Sequence, residues 1–254
     1  MYRIDLNSDL GESFGSYKIG QDEEVIRHVT SINVACGWHA GDPMVMDETV
    51  RRAKELGVGV GAHPGHYDLM GFGRRNINLS FDETKNYMKY QIGALMAFTT
   101  SYGMKLQHVK AHGALGNKSM VDETVARAVC EAAYEINPEL IMFGHANSVM
   151  LQVAEQMGLR TVSEVYGDRA YMDDGTLVPR KMAGAMIEDE EFAIRRAIRM
   201  VKEGTVETIT GKVIQIKADS LCVHGDSPKA LEFIRSIRQA FQEEGIQVKN
   251  ILEK

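Results

Sequence analysis

Six of the eight histidines in this 254-residue chain each follow a short apolar run: His39, His63, His66, His112, His145 and His224. Other polar groups keep the same company. Asn7, Asp9 and Glu12 follow the first run, Lys110 comes just before His112, Glu164, Asp168 and Arg169 accompany the sixth run, and Asp226 follows His224. Histidine titrates near neutral pH and is the commonest side-chain metal ligand, so this set suits two chemistries. One is a divalent metal held by His39, His63 and Asp9 or Asp5, with a position open for water. The other is metal-free acid–base work, with a histidine and a carboxylate beside a polarised carbonyl. The candidate catalytic residues are Asp9, His39, His63, His112, His224 and Asp226. No HExxH motif occurs, so spacing alone selects neither chemistry. One histidine often only caps a loop or a carbonyl; it is the shared placement that argues for a shared site.

A second set is cationic: Lys110, Arg74, Arg75, Arg169 and Arg180. Gly71-Phe72-Gly73-Arg74-Arg75 combines freed backbone N–H groups with two forked guanidinium donors, which suits a carboxylate or a phosphate. Of these cations, Lys110, Arg74, Arg75 and Arg169, with Asn7, Glu12 and Asp168, are the candidate substrate- and anion-binding residues. GxxxxGK[ST] and GxGxxG are both absent, so no nucleotide fingerprint is present. Cys36, beside Gly37, reads either as a nucleophile or as a buried small residue, and burial is the better account. Trp38 reads as packing, and Asn147-Ser148 as a helix cap.

The elements that must position these groups alternate in type. Candidate strands are Tyr2–Leu6, Ser31–Ala35, Val58–Gly61, Leu106–Val109, Leu140–Phe143, Arg160–Val165, Val213–Lys217 and Leu221–Val223. Most are uniformly apolar, as parallel strands covered on both faces are. Helices fall between them. Asp42-Pro43 opens one that Gly57 ends. Ser80 and Glu83 form a capping box for a long helix toward Gly103. Val121–Ile136 and Val149–Met157 are helical, and Ala230, Ile234, Ile237 and Phe241 make one apolar face before Gly245. Seven or eight βα units in one domain, 1–254, predict a TIM-like (β/α) barrel, with a doubly wound open sheet as the competitor. In such barrels ligands bind at the C-terminal ends of the strands, where the histidines lie.

Composition narrows the classes. The formal charge of −6 argues against a general nucleic-acid binder. No apolar run is long enough to span a membrane, and the charged N-terminus does not resemble a signal peptide. Cys36, Cys130 and Cys222 are too widely spaced for a disulfide framework. A cytoplasmic protein is expected.

Several blocks resemble the LamB/YcsF family, in that family's order and over nearly the whole chain. They are Asp5-Leu6-Asn7-Ser8-Asp9-Leu10-Gly11-Glu12, residues 33–42 around Cys36-Gly37-Trp38-His39, Gly61-Ala62-His63-Pro64, Gly71-Phe72-Gly73-Arg74-Arg75, residues 91–95, Lys110-Ala111-His112-Gly113-Ala114-Leu115, Asp168-Arg169-Ala170-Tyr171 and Cys222-Val223-His224-Gly225-Asp226. Family members resemble the A subunit of the bacterial ATP-dependent 5-oxoprolinase. The resemblance therefore implies hydrolytic opening of 5-oxoproline (pyroglutamate) to L-glutamate, ATP with Mg2+ as co-substrate, and 5-oxoprolinase subunits B and C as partners. It implies a barrel of the glycoside hydrolase/deacetylase type. Two rivals stay open: a metal-dependent deacetylase of N-acetylated sugars, and a non-catalytic chain that only binds 5-oxoproline. The chain departs from the usual family pattern at Ser8, Trp38, Ala111, Tyr166-Gly167 and Gly116, where a missing aromatic is expected to widen the pocket.

Overall fold

The computed structural model describes residues 1–223 and 230–253. His224 and Asp226 lie outside the described residues.

Seven parallel strands close on themselves. They run β1 (Tyr2–Leu10), β2 (Ser31–Ala35), β3 (Gly59–His63), β4 (His108–Lys110), β5 (Ile141–His145), β6 (Arg160–Tyr166) and β9 (Ser220–Cys222). The ring shuts because β9 pairs with β6 through Glu164↔Ser220 and with β1 through Asp5↔Ser220. Closure rules out the open doubly wound sheet. Helices α2 (Pro43–Leu56), α3 (Phe81–Ser101), α5 (Glu123–Ile136), α6 (Val149–Gln156), α7 (Glu190–Glu203) and α8 (Ala230–Glu243) make the connections, with short α1 (Asp22–Val25) and α4 (Gly113–Ser119) at the loops.

Local chemistry sets several boundaries. Asp42 accepts hydrogen bonds from the N–H groups of Met44 and Val45, Pro43 fills the first turn, and Gly57 ends α2 in the left-handed region at φ 70°. Ser80 and Glu83 complete the capping box of α3. Asp122, rather than Val121, starts α5. Ser148 caps α6.

Two expectations need correction, and one strand was not expected. The first strand does not stop at Leu6 but runs to Leu10, because Asp5, Asn7 and Asp9 alternate with Ile4, Leu6 and Leu10 and point into the barrel. Polar residues there are lumen-facing strand positions, not a loop. Val213–Lys217 is no barrel strand. Its β8 (Val213–Gln215) is half exposed and pairs antiparallel with β7 (Thr205–Glu207) outside the ring. Finally, β10 (Ile246–Val248) adds a parallel pairing to the first residues of β1, at Tyr2↔Ile246.

Outward-facing Leu6, Ile32, Val34, Val60, Val109, Met142, Val165 and Leu221 form one buried cluster with Val50, Met88, Ile92, Leu95, Val129, Ile237 and Phe241 of the helices. Apolar burial, at about 25 cal/mol per Å², therefore lies between sheet and helices. This leaves the barrel interior free to be polar. Among the described residues, no helix is long and apolar enough to cross a membrane.

Candidate active site

The lumen is built as successive polar layers. Deepest is Asp5, which accepts hydrogen bonds from Ser31 Oγ at 2.7 Å, Thr30 Oγ1 at 2.8 Å and Ser220 Oγ. Burial raises its pKa, and the three hydroxyls only partly offset this. Above it, Asn33 Nδ2 donates to Asn7 Oδ1 at 2.7 Å and to Asp9 Oδ1 at 2.8 Å. His108 Nε2 meets Asn33 Oδ1 at 2.7 Å, and its ring stacks on Phe143. Gly61 makes room for that ring, since a Cβ there would stand 2.1 Å from it.

The third layer is ionic. Lys110 Nζ lies 3.0 Å from Asp9 Oδ1, 2.7 Å from Glu164 Oε1 and 3.2 Å from Cys222 Sγ. Burial disfavours the ammonium, but Asp9, Cys222 and Glu164 around it outweigh burial and hold its pKa well above normal. Burial likewise works against the Glu164 carboxylate, and Lys110 and His145 overcome it, so its pKa is lowered. Tyr166 donates its hydroxyl to Glu164 Oε2 and lies 3.3 Å from His145 Nε2. Burial, with Glu164 alongside, pushes the Tyr166 pKa well up, so it stays a donor.

At the mouth, His63, His112, His39 and Glu12 come together. The His63 Nδ1–H donates to the Lys110 carbonyl at 2.7 Å, and His112 Nε2–H to the Phe72 carbonyl at 2.8 Å. These bonds fix the tautomers, leaving His63 Nε2 and His112 Nδ1 to face each other at 3.0 Å. His39 stacks on His112 at 3.7 Å with rings 4° apart, and its Nε2 is 3.4 Å from Glu12 Oε1. Burial, then the neighbouring imidazoles, depress His39 well below 6.5, and burial with His63 takes His112 to about 3. The donor atoms of Glu12, His39, His63 and His112 all lie within 4.8 Å of one another, so this buried set can hold a divalent ion. His39 and His63 of the metal set expected from the sequence belong to this group, with Glu12 and His112. Asp5 lies deeper, bonded to three hydroxyls, and Asp9 stands beside the group, its Oδ1 held by Lys110 and Asn33 and its Oδ2 3.3 Å from His63 Nε2.

The structure thus brings Asp9, His39, His63 and His112 to one place, with Lys110 beneath them. The anion-binding set does not converge. Arg75 pairs with Asp68, whose carboxylate also caps Gly71, so it organises its own loop. Asn7 is fully buried within the lumen and Glu12 belongs to the histidine cluster. Lys110 already has its acceptors. Arg169 is buried and donates to the Val178 carbonyl at 2.7 Å. Asp168 lies beside it in the loop after β6, where its carbonyl accepts from the Ile187 N–H at 2.8 Å. Arg74 alone of the loop pair leans toward the mouth, 5.0 Å above the Phe72 ring. Gly73, at φ 61°, lies against His112 and His39, where a Cβ would come within 2.8 Å of each. The GFGRR segment therefore clamps the histidine pair. His66 is buried, and neither ring nitrogen has a hydrogen-bond partner. His145 is the cross-strand neighbour of Glu164, with its Nε2 3.3 Å from the Tyr166 hydroxyl. Cys36 is buried with its pKa pushed up to about 12, which removes it as a nucleophile. Trp38 packs among Tyr67, Tyr87 and Tyr90. A side chain at Gly116 would stand 2.5 Å from the Ala111 carbonyl, so that glycine is a helix-packing contact and not a widening of the cavity.

The sequence profile of the LamB/YcsF family matches residues 4–254. The chain belongs to the LamB/YcsF family. Among LamB/YcsF relatives, the 5-oxoprolinase A subunit of Campylobacter jejuni subsp. jejuni (strain 81-176) is 56% identical over 248 residues, 98% of this chain and 97% of that one. The 5-oxoprolinase A subunit of Pyrococcus abyssi is 56% identical over 246 residues, 97% of this chain and 96% of that one. The crystal structure of a lactam utilization protein from Thermus thermophilus superposes with a TM-score of 0.92 at 45% identity, covering 97% of this chain and 99% of that one. A putative cellobiose-phosphate cleavage protein from Enterococcus faecalis V583 has the same fold at 13% identity and a TM-score of 0.59, over 98% and 97% of the two chains.

Sequence reasoning missed Glu164, Tyr166, His108 and Cys222 as site builders, although Glu164 stood in view. Their signal was alternation: Glu164 and Tyr166 occupy inward positions of β6, two residues apart.

Proposed function

We propose that this LamB/YcsF chain, as one barrel domain spanning 1–254, is the A subunit of an ATP-dependent 5-oxoprolinase that hydrolyses the lactam of 5-oxoproline to L-glutamate. Two near-full-length relatives carrying that name support the substrate. The observation that carries the chemistry is the Asp9–Lys110–Glu164 ionic group at the floor of a mouth lined by buried histidines. A lactam is a weak electrophile, and its hydrolysis near neutral pH needs coupling. ATP supplies that coupling by phosphorylating the amide oxygen, which makes the ring carbon a good electrophile. Water adds there, and the C–N bond breaks with its electron pair and a proton going to the ring nitrogen. The acyl phosphate so formed is hydrolysed by a second water to L-glutamate and phosphate. Asp9 keeps some exposure (19% of its side chain) and accepts the proton of the attacking water. Lys110, held cationic from below, offsets the negative charge of the phosphoryl group on the attacked carbon's oxygen. Arg74 holds the substrate carboxylate at the rim.

No nucleotide fingerprint occurs in the sequence, so the ATP–Mg2+ site lies at least partly on subunits B and C. The proposed dependence on ATP supports a cytoplasmic location. The test is glutamate release from 5-oxoproline and ATP. The chain alone should show little turnover, and the chain with both partners robust turnover. Robust activity of the chain alone refutes the division of labour. No activity with both partners refutes the assignment.

A further inference from the structure

We propose that Glu12, His39, His63 and His112 form a site for one divalent ion of the Zn2+ class at the barrel mouth. The argument is about lone pairs. His63 Nδ1–H and His112 Nε2–H are each committed to a backbone carbonyl. In the neutral rings, the opposite nitrogens are then pure acceptors. Yet His63 Nε2 faces His112 Nδ1 at 3.0 Å and Asp9 Oδ2 at 3.3 Å, acceptor against acceptor. Such an arrangement, buried from water, is repulsive unless a cation sits among the lone pairs.

Two further observations agree. His39 has no solvent exposure, and neither of its ring nitrogens has a hydrogen-bond partner. Its ring is nevertheless held in place by stacking on His112. The spacing also fits. Bonds of about 2.0–2.1 Å to a tetrahedral ion put neighbouring ligand atoms about 3.3 Å apart. The pairs His63–His112, His39–Glu12 and His112–Glu12 are 3.0, 3.4 and 3.9 Å apart. The Lys110 and Phe72 carbonyls serve as the outer partners that orient two of the ligands. Three imidazoles with one carboxylate favour Zn2+ or Co2+ over Mg2+ or Ca2+, which prefer oxygen.

The inference does not rest on the lactam reading, and its test reads metal and not turnover. The full-length chain is stripped with a chelator and titrated with Zn2+ against a competing chromophoric chelator, and with Co2+ by visible absorption. The expected result is one equivalent bound, Co2+ bands of a four-coordinate ion, and no displacement by millimolar Mg2+. Glu12→Gln and His112→Gln should each weaken binding about 100-fold or more, above the range for losing an outer partner. Saturation below half an equivalent overturns the proposal even if a variant fails to fold. So does unchanged affinity in both folded variants, displacement by Mg2+, or a shared imidazole N–H resonance in the stripped protein that persists on adding Zn2+.

Discussion

Replacing Lys110 with methionine tests whether the lumen is organised around one buried cation. Lys110 compensates two carboxylates, Asp9 at 3.0 Å and Glu164 at 2.7 Å, and Glu164 has no exposure at all. Methionine conserves the stem but leaves Glu164 as an uncompensated charge. Breaking a buried pair by deleting one partner costs about 3–5 kcal/mol. For a chain of this size that is a fall in Tm of about 6–20 °C at neutral pH.

The pH dependence has a definite sign. In the native protein Lys110 and His145 overcome burial and lower the Glu164 pKa, so the stability this carboxylate contributes is present above its unfolded value of about 4.3 and is lost as pH falls through the lower folded value. In Lys110→Met, burial and Asp9 remain while the main lowering influence is gone, and the folded pKa rises above the unfolded one. The variant's penalty then grows as pH rises from about 4.3. The difference between the two proteins should be largest near pH 7 and shrink toward pH 4.5. Adding Glu164→Gln should recover much of the loss, because the amide needs no counter-charge. Thermal and urea melts followed by circular dichroism across pH 4.5–8 provide the measurement. A pH-independent penalty, or a double variant no more stable than the single one, would refute this account of the lumen.

Asp9→Asn, assayed with both partner subunits, should lower kcat about 10²–10⁴-fold with the circular dichroism spectrum unchanged; a wild-type rate would remove Asp9 as the base. Gly61→Ala drives a methyl into the His108 ring and should cost about 1–3 kcal/mol, measured by denaturant melts, whereas the same change at solvent-facing Gly93 should not destabilise. Asp42→Ala removes the cap of α2 and should cost about 1 kcal/mol in the same assay. Cys36 should resist iodoacetamide in the native protein at pH 8, since burial holds its thiol neutral up to about 12, and should label readily in urea.

The period of apolar runs and helical faces pointed to the barrel ahead of an open sheet and placed His39, His63 and His112 at its C-terminal mouth. Helix boundaries marked by Asp42-Pro43, Ser80–Glu83 and Ser148 were equally plain, because a cap is a contact between residues two or three apart. The lumen was not legible in the same way. Asn7 and Asp9 look like a loop until the strand is known to be closed, since a polar interior exists only once seven strands surround it. Val213–Gln215 has strand character but no local signal for which sheet it joins. The partners of Lys110 come from β1, β6 and β9, as far as 112 residues away in the chain. Their meeting is a consequence of barrel closure and register. The tautomers of His63 and His112 depend on two backbone carbonyls that folding brings beside them. Residue types along the chain therefore determined which chemistries were available. Only tertiary structure decided that Glu12 and His112 join His39 and His63 in one cluster, because that turns on distances between strand ends that no spacing in the sequence encodes.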